Sequence, residues 1–152
     1  MNAVALVPRP VTVAIIDDTE DLRFLLRTAL TRAGMEVVAE AADGRAGIDV
    51  VDETQPDVVL LDLAMPVLDG RAALPHVRRA APTARIIVLS GFGADLLSDD
   101  LIALGADGYI EKGHSLRRIV QYVEDAASAP AVTRPPGRVL RLVRDDDTPT
   151  SR

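Results

Sequence analysis

Several polar residues of this chain come just past separate runs of branched apolar residues, where the strands of a parallel sheet would end. These residues are Asp17, Asp18, Asp62, Ser90 and Lys112. Ligands of an open α/β sheet bind outside the carboxyl ends of its strands, so we expect the five side chains to meet there. Three carboxylates, a hydroxyl and an ammonium at one place form a pocket for a divalent cation and a phosphoryl group.

The three carboxylates divide into an adjacent pair and a single acid on another strand. Neighbouring residues at a strand end point in different directions, so one of Asp17 and Asp18 can bind a cation directly and the other through water. Mg²⁺ suits this set, because it takes one or two protein carboxylates and keeps waters as further ligands. Asp62 is the candidate nucleophile that would form an aspartyl-phosphate. The rival role for Asp62, a third metal ligand, is compatible with that chemistry.

Lys112 is the only lysine of the chain, and the other 16 basic residues are arginines. A compact ammonium on a flexible stem can reach a phosphoryl oxygen where a planar guanidinium does not fit. Ser90 either donates its hydroxyl to the phosphoryl group or caps the turn before Gly91. The presence of Lys112 and Asp62 at the same end of the sheet favours the phosphate role.

The apolar pattern predicts a five-stranded, doubly wound parallel sheet in a single domain, with five repeats of strand and helix. The predicted strands are 11–16, 35–39, 57–61, 85–89 and 107–110. The predicted helices are a first helix that Thr19 caps and Gly34 ends, and then 44–53, a helix running to about Ala80, 94–104 and 115–127 with Ser115 as its N-cap. We expect Pro75 to kink the third helix or to delay its start.

The helical periods also predict which side chains face the core. The first helix should bury a stripe that includes Leu25, and helix 115–127 should bury Leu116, Ile119, Val120 and Val123. Helix 94–104 should bury Ala94, Leu97, Leu101 and Leu104. Three apolar residues fall outside these stripes: Leu96, Ile102 and Tyr122. Together with the strand of Tyr109, they are candidates for a partner surface.

Composition limits the class of protein. The 152 residues include no cysteine, so disulfides and thiolate sites are excluded. Residues 1–127 hold 12 basic and 20 acidic side chains, which disfavours direct binding of nucleic acid. The apolar runs are too short to span a membrane, so we expect a cytoplasmic protein.

The two ends of the chain differ in composition from the rest. The leader 1–10 has no basic start and contains two prolines, unlike a signal peptide. Residues 128–152 are rich in Pro, Arg and Asp, and we expect a flexible tail that is dispensable for phosphorylation. The domain is therefore expected at 11–127.

In their order and spacing, these residues resemble the receiver domain of two-component response regulators across about residues 10–127. The resemblance includes the acid pair, Asp62, Ser90 and Lys112. It further rests on Arg23, Ala42-Asp43-Gly44, Met65-Pro66, Asp69-Gly70, Gly91 and Gly105-Ala106-Asp107-Gly108-Tyr109. Gly113 departs from the proline that many receivers carry after the lysine.

The resemblance implies a flavodoxin-like sheet of receiver topology, Mg²⁺ dependence and phosphotransfer from a histidine kinase, or a phosphotransfer protein, to Asp62. It implies that Asp18, Asp62 and the backbone carbonyl of Ala64 bind the metal directly, and that Asp17 acts through water. It assigns the phosphoryl oxygens to Lys112 and Ser90, at the Ser90-Gly91 turn. Ser90 and Tyr109 would be the switch residues.

The family likeness also implies a lifetime for the phosphorylated form. The residues two past the phosphoacceptor and two past the serine flank the approach of water in receivers, and here they are Ala64 and Phe92. Neither side chain can accept a hydrogen bond from water, so we expect slow loss of the phosphoryl group.

Several functional alternatives stay open at this point. The segments 105–109 and 112–115 look most like receivers attached to NarL-type DNA-binding regulators, but 128–152 is too short for a helix-turn-helix. The chain is therefore a stand-alone receiver or a piece of a longer regulator. An Mg²⁺-dependent phosphatase would carry an acid at position 64, so a turnover enzyme is disfavoured. A module independent of phosphorylation and a flavin or dinucleotide site are disfavoured too, and His76 and His114 are interpreted as incidental.

The kinase, the output partner and the oligomeric state cannot be read from the sequence. A homodimer on the face built from 94–127 is a candidate.

Overall fold

A computed structural model describes residues 9–91 and 94–129, with only the backbone described for residues 94–98. Its strands are β1 (Thr12–Ile16), β2 (Glu36–Ala41), β3 (Val58–Asp62), β4 (Arg85–Ser90) and β5 (Gly108–Glu111). Its helices are α1 (Glu20–Arg32), α2 (Gly44–Thr54), α3 (Gly70–Ala80), α4 (Ala94–Leu104) and α5 (Leu116–Ser128). The expected alternation of strands and helices is confirmed.

The five strands form one parallel sheet in the order β2-β1-β3-β4-β5. Strands β1 and β3 lie inside the sheet and are almost wholly buried, which explains their continuous apolar runs. The doubly wound, flavodoxin-like receiver topology predicted from the sequence is confirmed. Because all strands run the same way, the residues at their ends share one side of the molecule, which we call the carboxyl end of the sheet.

The core has two parts, one on each face of the sheet. Side chains of α2, α3 and α4 pack on one face, with Val51, Leu74 and Leu101 fully buried. Side chains of α1 and α5 pack on the other face, with Leu26, Leu30 and Val123 fully buried. The sheet is thus shielded on both faces, which leaves its carboxyl end as an accessible place for chemistry.

Three helices begin at residues whose side chains accept a backbone N–H of the first turn. Asp43, Asp69 and Ser115 cap α2, α3 and α5 in this way. Thr19 precedes α1 as expected, but its side chain makes no capping hydrogen bond. The start of α1 is therefore fixed by other contacts.

Some expectations were wrong in detail. Helix α3 includes Pro75 and begins at Gly70, so the late start is excluded, and the alternative of a kink at Pro75 stays a prediction. Leu25 is exposed because the buried stripe of α1 is centred on Leu26 and Leu30. Tyr122 is buried because α5 presents a wider apolar face, on which it lies between Ile119 and Ala126.

The remaining expected burial is mixed. Ile119 and Val123 are buried as predicted, Leu116 and Val120 are partly buried, and Ile102 is partly buried on α4. The side chains of Leu96, Ala94 and Leu97 lie outside the described residues, as do Phe92, residues 1–8 of the leader and residues 130–152 of the tail. No helix among the described residues is long and apolar enough to cross a membrane.

Candidate functional site

Three carboxylates meet at the carboxyl end of the sheet. Asp17 follows β1 directly, Asp18 is the next residue, and Asp62 ends β3, the strand beside β1. One oxygen from each lies within 4.8 Å of the others, and we call these residues the acid cluster. Asp17 is 0% and Asp62 is 1% exposed, whereas Asp18 is exposed, so the cluster has one side open to solvent.

Lys112 lies against the two buried acids. Its Nζ is 3.0 Å from Asp62 Oδ1 and 3.1 Å from Asp17 Oδ2, and its side chain is 27% exposed. The backbone N–H of Lys112 donates to the carbonyl of Ser90 at 2.8 Å, which ties the turn after β5 to the end of β4. The structure thus brings Ser90, itself buried, to the same end of the sheet.

Asp62 has an incomplete set of partners. The N–H of Ala64 donates to Asp62 Oδ1 at 3.2 Å, but Asp62 Oδ2 is buried and accepts no hydrogen bond. Burial raises the pKa of Asp62, and the negative charge of Asp17 raises it further, against the opposing contact with Lys112. A buried carboxylate oxygen without a donor indicates a site that a cation or phosphoryl group completes.

Lys112 stays positively charged despite its burial. Burial alone would lower its pKa, but the contacts with Asp62 and Asp17 outweigh that effect and raise the pKa. One ammonium faces two buried carboxylates, and Asp18 adds a third negative charge at the rim. The cluster therefore carries an excess of negative charge, which favours a divalent cation.

The loop after Asp62 is held close to the acid cluster by two glycines. A side chain at Gly70 would collide with the carbonyl of Asp62, and one at Gly44 would collide with the carbonyl of Leu68. Gly44 N–H instead donates to that carbonyl at 3.0 Å. These contacts explain the glycines after Asp43 and Asp69, since only a residue without a Cβ permits such an approach.

The tip of this loop is strained. Val67 has a φ of 66°, a conformation that β-branched residues rarely adopt, and its side chain is 85% exposed. The N–H of Leu68 donates to the carbonyl of Pro66 at 2.8 Å, so Val67 is the centre of a γ-turn. No sequence pattern assigns a role to Val67, because valine gives no signal of a positive φ.

Other predicted residues lie nearby but have less defined roles. Ala64 and Gly91 are exposed beside Asp62 and Ser90, and Phe92 lies outside the described residues. Tyr109 on β5 pairs with Val88 and packs against the core on the α4 side of the sheet. His76 is exposed on α3 and His114 lies in the turn before α5, and neither belongs to the acid cluster.

Two arginines, Arg23 and Arg78, make contacts that were not predicted from the sequence. Arg23 of α1 donates to the carbonyl of Asp17. The resemblance to receiver domains includes Arg23 but assigns it no contact. Arg78 of α3 donates to the carbonyl of Gly105, to further carbonyls after α3 and to Asp107 Oδ2. A periodic pattern predicts neither set of contacts, because most of the acceptors are backbone oxygens of loops, and any residue type can supply such an oxygen.

Comparison with known proteins agrees with this geometry. The family model described as response regulator receiver domain matches residues 13–124. The chemotaxis protein CheY of Thermotoga maritima is 35% identical over 109 residues, which cover 72% of this chain and 91% of that protein.

Two solved structures are similar in fold as well as in sequence. The receiver domain of the putative response regulator NarL from Mycobacterium tuberculosis has a TM-score of 0.74 at 31% identity, covering 80% of this chain and 99% of that one. The complex of CheX with CheY, BeF3 and Mg from Borrelia burgdorferi has a TM-score of 0.72 at 29% identity, covering 76% of this chain and 88% of that one.

Proposed function

Because this chain belongs to the family of response regulator receiver domains, we propose that it accepts a phosphoryl group from a histidine kinase, or from a phosphotransfer protein, on Asp62. The observation that carries the assignment is the unpartnered, buried Oδ2 of Asp62 beside Lys112. Among the three acids, Asp18 is exposed. Asp17 has Oδ1 bonded to Thr19 N–H and Oδ2 lying 3.1 Å from Lys112 Nζ, whereas Asp62 Oδ2 is buried with neither a hydrogen bond nor an ion-pair contact.

The transfer forms one bond and breaks another. A carboxylate oxygen of Asp62 attacks the phosphorus of a phosphohistidine, and the bond from phosphorus to the imidazole nitrogen breaks. The bonding electron pair returns to the imidazole, and the phosphoryl group becomes an acyl phosphate on Asp62. Lys112 and the hydroxyl of Ser90 stabilise the phosphoryl oxygens by charge and hydrogen bonding.

The acid cluster fits Mg²⁺. Its hard oxygen donors and excess of negative charge match the ligands that this ion prefers. Asp18, Asp62 and the backbone carbonyl of Ala64 would hold the ion directly, and Asp17 would do so through water. When bound there, the ion would offset the repulsion between the Asp62 carboxylate and the phosphoryl oxygens. The Borrelia CheY that resembles this chain was solved with BeF3 and Mg, which supports the assignment.

Phosphorylation would be read by the surface of α4, β5 and α5. Ser90 ends the strand next to β5, and its carbonyl binds Lys112, so a change at Ser90 reaches β5 through one hydrogen bond. Tyr109 on β5 is the second switch residue of the proposal. The output partner binds this surface, with a second copy of the chain as one candidate. Because kinases draw phosphoryl groups from ATP, we place the exchange in the cytoplasm.

Intact-mass measurement tests the phosphoacceptor. Incubation with acetyl phosphate and Mg²⁺ should add the mass of one phosphoryl group to the wild type and none to Asp62→Asn. Asp69→Asn is the matched control, because Asp69 lies in the same loop and asparagine also caps helices well. Equal labelling of wild type and Asp62→Asn would refute the assignment, and chelation of Mg²⁺ should abolish labelling.

We further propose that the phosphorylated form is long-lived and that the protein does not turn over substrate. Ala64 stands where an attacking water would need an acceptor, and its methyl group offers none. The variants Ala64→Asn and Phe92→Glu introduce such acceptors and should speed the decay of purified phosphoprotein. Decay within seconds in the wild type, unchanged in these variants, would contradict the proposal.

A further inference from the structure

Arg23 contacts the backbone at the centre of the acid cluster. Its Nη1 donates to the carbonyl oxygen of Asp17 at 2.6 Å, and its side chain is 17% exposed. That carbonyl belongs to the peptide unit that joins Asp17 to Asp18. Because a peptide unit is planar, a group that holds the carbonyl also holds the amide nitrogen and the Cα of Asp18, from which its side chain extends.

The other polar atoms of Asp17 are also held. Its N–H donates to the carbonyl of Ala41 at 3.0 Å, and its Oδ1 accepts from Thr19 N–H at 2.8 Å. Its Oδ2 lies beside Lys112. Asp17 is thus fixed from three sides, whereas Asp18 depends on the peptide unit before it.

Arg23 contacts the loop at the start of α1, where a side-chain capping bond is absent. Thr19 makes no side-chain capping bond, unlike the residues before α2, α3 and α5. The hydrogen bond from Arg23 to Asp17 reaches from the second turn of α1 back across the loop. It therefore fixes the loop between β1 and α1 at a place where the usual capping bond is missing.

A carboxylate on β2 also contacts the guanidinium of Arg23. Glu40 of β2 lies 3.6 Å from Arg23 Nε and 2.6 Å from Arg27 Nη1. Arg23 therefore uses two different nitrogens for two partners, the carbonyl of Asp17 and the carboxylate of Glu40. A lysine has one nitrogen and no planar fork, so it cannot hold both partners in the same way.

We propose that Arg23 is a positioning residue for Mg²⁺: by holding the Asp17–Asp18 peptide unit, it directs the exposed carboxylate of Asp18 toward Asp62. The inference rests on the proposed function, since it assumes that the acid cluster binds this ion. Arg23 itself touches no metal ligand atom of a side chain in the described contacts, so it acts through the backbone.

A positioning role and a purely electrostatic role for Arg23 predict opposite changes in Mg²⁺ affinity when the charge of Arg23 is removed. A positive charge beside the acid cluster opposes cation binding, so an electrostatic role predicts tighter Mg²⁺ binding when the charge is removed. The same role predicts no change when lysine replaces arginine. Positioning predicts weaker binding in both cases, since neither replacement holds the carbonyl and Glu40 together.

Calorimetric titration of the unphosphorylated full chain with Mg²⁺ distinguishes the positioning role from the electrostatic role. Arg23→Lys and Arg23→Gln should each bind Mg²⁺ about tenfold more weakly, as is usual when a residue supporting a metal ligand is lost. Arg27→Lys and Arg27→Gln are the matched controls, because Arg27 binds the same Glu40 without contacting Asp17. Both controls should bind Mg²⁺ close to wild type.

A second readout needs no metal. In Mg²⁺-free protein, the amide resonance of Asp18 should shift in Arg23→Lys and stay in place in Arg27→Lys. Wild-type Mg²⁺ affinity and an unshifted Asp18 amide in Arg23→Lys, or tighter binding in Arg23→Gln, would overturn the inference. If Arg23→Gln does not fold, Arg23→Lys decides. Mg²⁺ binding by wild type without labelling of Asp62 would instead refute the proposed function and leave the role of Arg23 standing.

Discussion

Both ends of the sheet hold aspartates, but the aspartates at the two ends differ in how many hydrogen bonds their carboxylate oxygens accept. At the end where the strands begin, which we call the amino end, Asp57 accepts hydrogen bonds from Thr12 N–H, Thr12 Oγ1 and both Nη atoms of Arg9. Asp107 accepts from Ile86 N–H and from Arg78. At the carboxyl end, Asp62 keeps an oxygen without a donor and shares one ammonium with Asp17.

The pKa values follow this difference. Burial alone would raise the pKa of Asp57, but the hydrogen bonds from Thr12 and Arg9 outweigh it and lower the pKa. Burial raises the pKa of Asp62, and too few donors oppose it. The Asp57 side chain is 31% exposed and that of Asp62 is 2% exposed, so the structural carboxylate differs from the reactive one in having both less burial and more donors.

The largest expected effect is at the amino end. Arg78→Ala removes a guanidinium that binds Gly105, Ala84 and Asp107. The two carbonyls lose its hydrogen bonds, and Asp107, which keeps the bond from Ile86 N–H, loses its ion pair. We expect a loss of about 3 kcal/mol in the free energy of unfolding, measured by urea denaturation. Arg79→Ala, on the exposed side of the same helix, should cost little. Equal losses in the two variants would contradict the role of Arg78, and Mg²⁺ affinity should be unchanged in both.

The same substitution at the two ends should change stability in opposite directions. Without Mg²⁺, Asp57→Asn should lower the free energy of unfolding by about 2 kcal/mol, because it weakens hydrogen bonds to a charged acceptor. Asp62→Asn should raise it by about 1 kcal/mol, because it removes one of two buried carboxylates that repel each other and share a single ammonium. Urea denaturation in a chelating buffer measures the unfolding free energy of both variants. Changes of the same sign in the two variants would contradict the proposed difference between the two ends of the sheet.

Stability at low pH should depend on Asp57. Its folded pKa lies below the ordinary value of 3.8, so its contribution is full above that value. The contribution is lost as the pH falls through the lowered pKa of the folded state. The difference in unfolding free energy between wild type and Asp57→Asn should therefore be constant near neutrality and shrink toward zero in acid. A constant difference down to the lowest pH would be inconsistent with this linkage.

The smallest expected effects concern two residues with positive φ, Val67 at the carboxyl end and Gln55 at the amino end. Gln55 has a φ of 47° at the end of α2, and its Nε2 donates to the carbonyls of Ala80 and Asp52 at 2.7 and 2.9 Å. Val67→Gly should stabilise the protein by about 1 kcal/mol, because it removes strain that no contact offsets. Gln55→Gly should not stabilise it, because the hydrogen bonds are lost with the strain. Thermal unfolding compares the two, and a gain in both variants would show that the side-chain bonds of Gln55 count for little.

The sequence allowed most of the carboxyl end to be predicted, for a geometric reason. Each of Asp17, Asp62, Ser90 and Lys112 is placed by a buried parallel strand, and strand ends are easily located from apolar runs. Once the strands are parallel, their ends must share one side of the sheet. The prediction therefore needed no knowledge of side-chain contacts.

The contacts that the sequence did not reveal are of a different kind. Arg78 and Arg23 bind backbone carbonyls of loops, and any arginine at those helical positions looks the same in a pattern. Tyr122 was wrongly expected outside, because a helical stripe drawn through aliphatic residues is too narrow for a face that also packs an aromatic ring. The positive φ of Val67 arises from a loop held at both sides, by Gly44 and by Gly70, and valine itself gives no hint of it.

That Lys112 is the only lysine has a practical consequence for chemical labelling. An amine-directed acylating reagent has a single side-chain target in this chain, and that target lies between Asp17 and Asp62. The nitrogen is partly exposed, so the reagent can reach it. Only the neutral amine reacts, and because Asp62 and Asp17 raise the pKa of Lys112, its rate of acylation depends on the charges around it. Peptide mapping of one residue would thus follow the occupancy of the whole site, with the α-amino group as an internal reference.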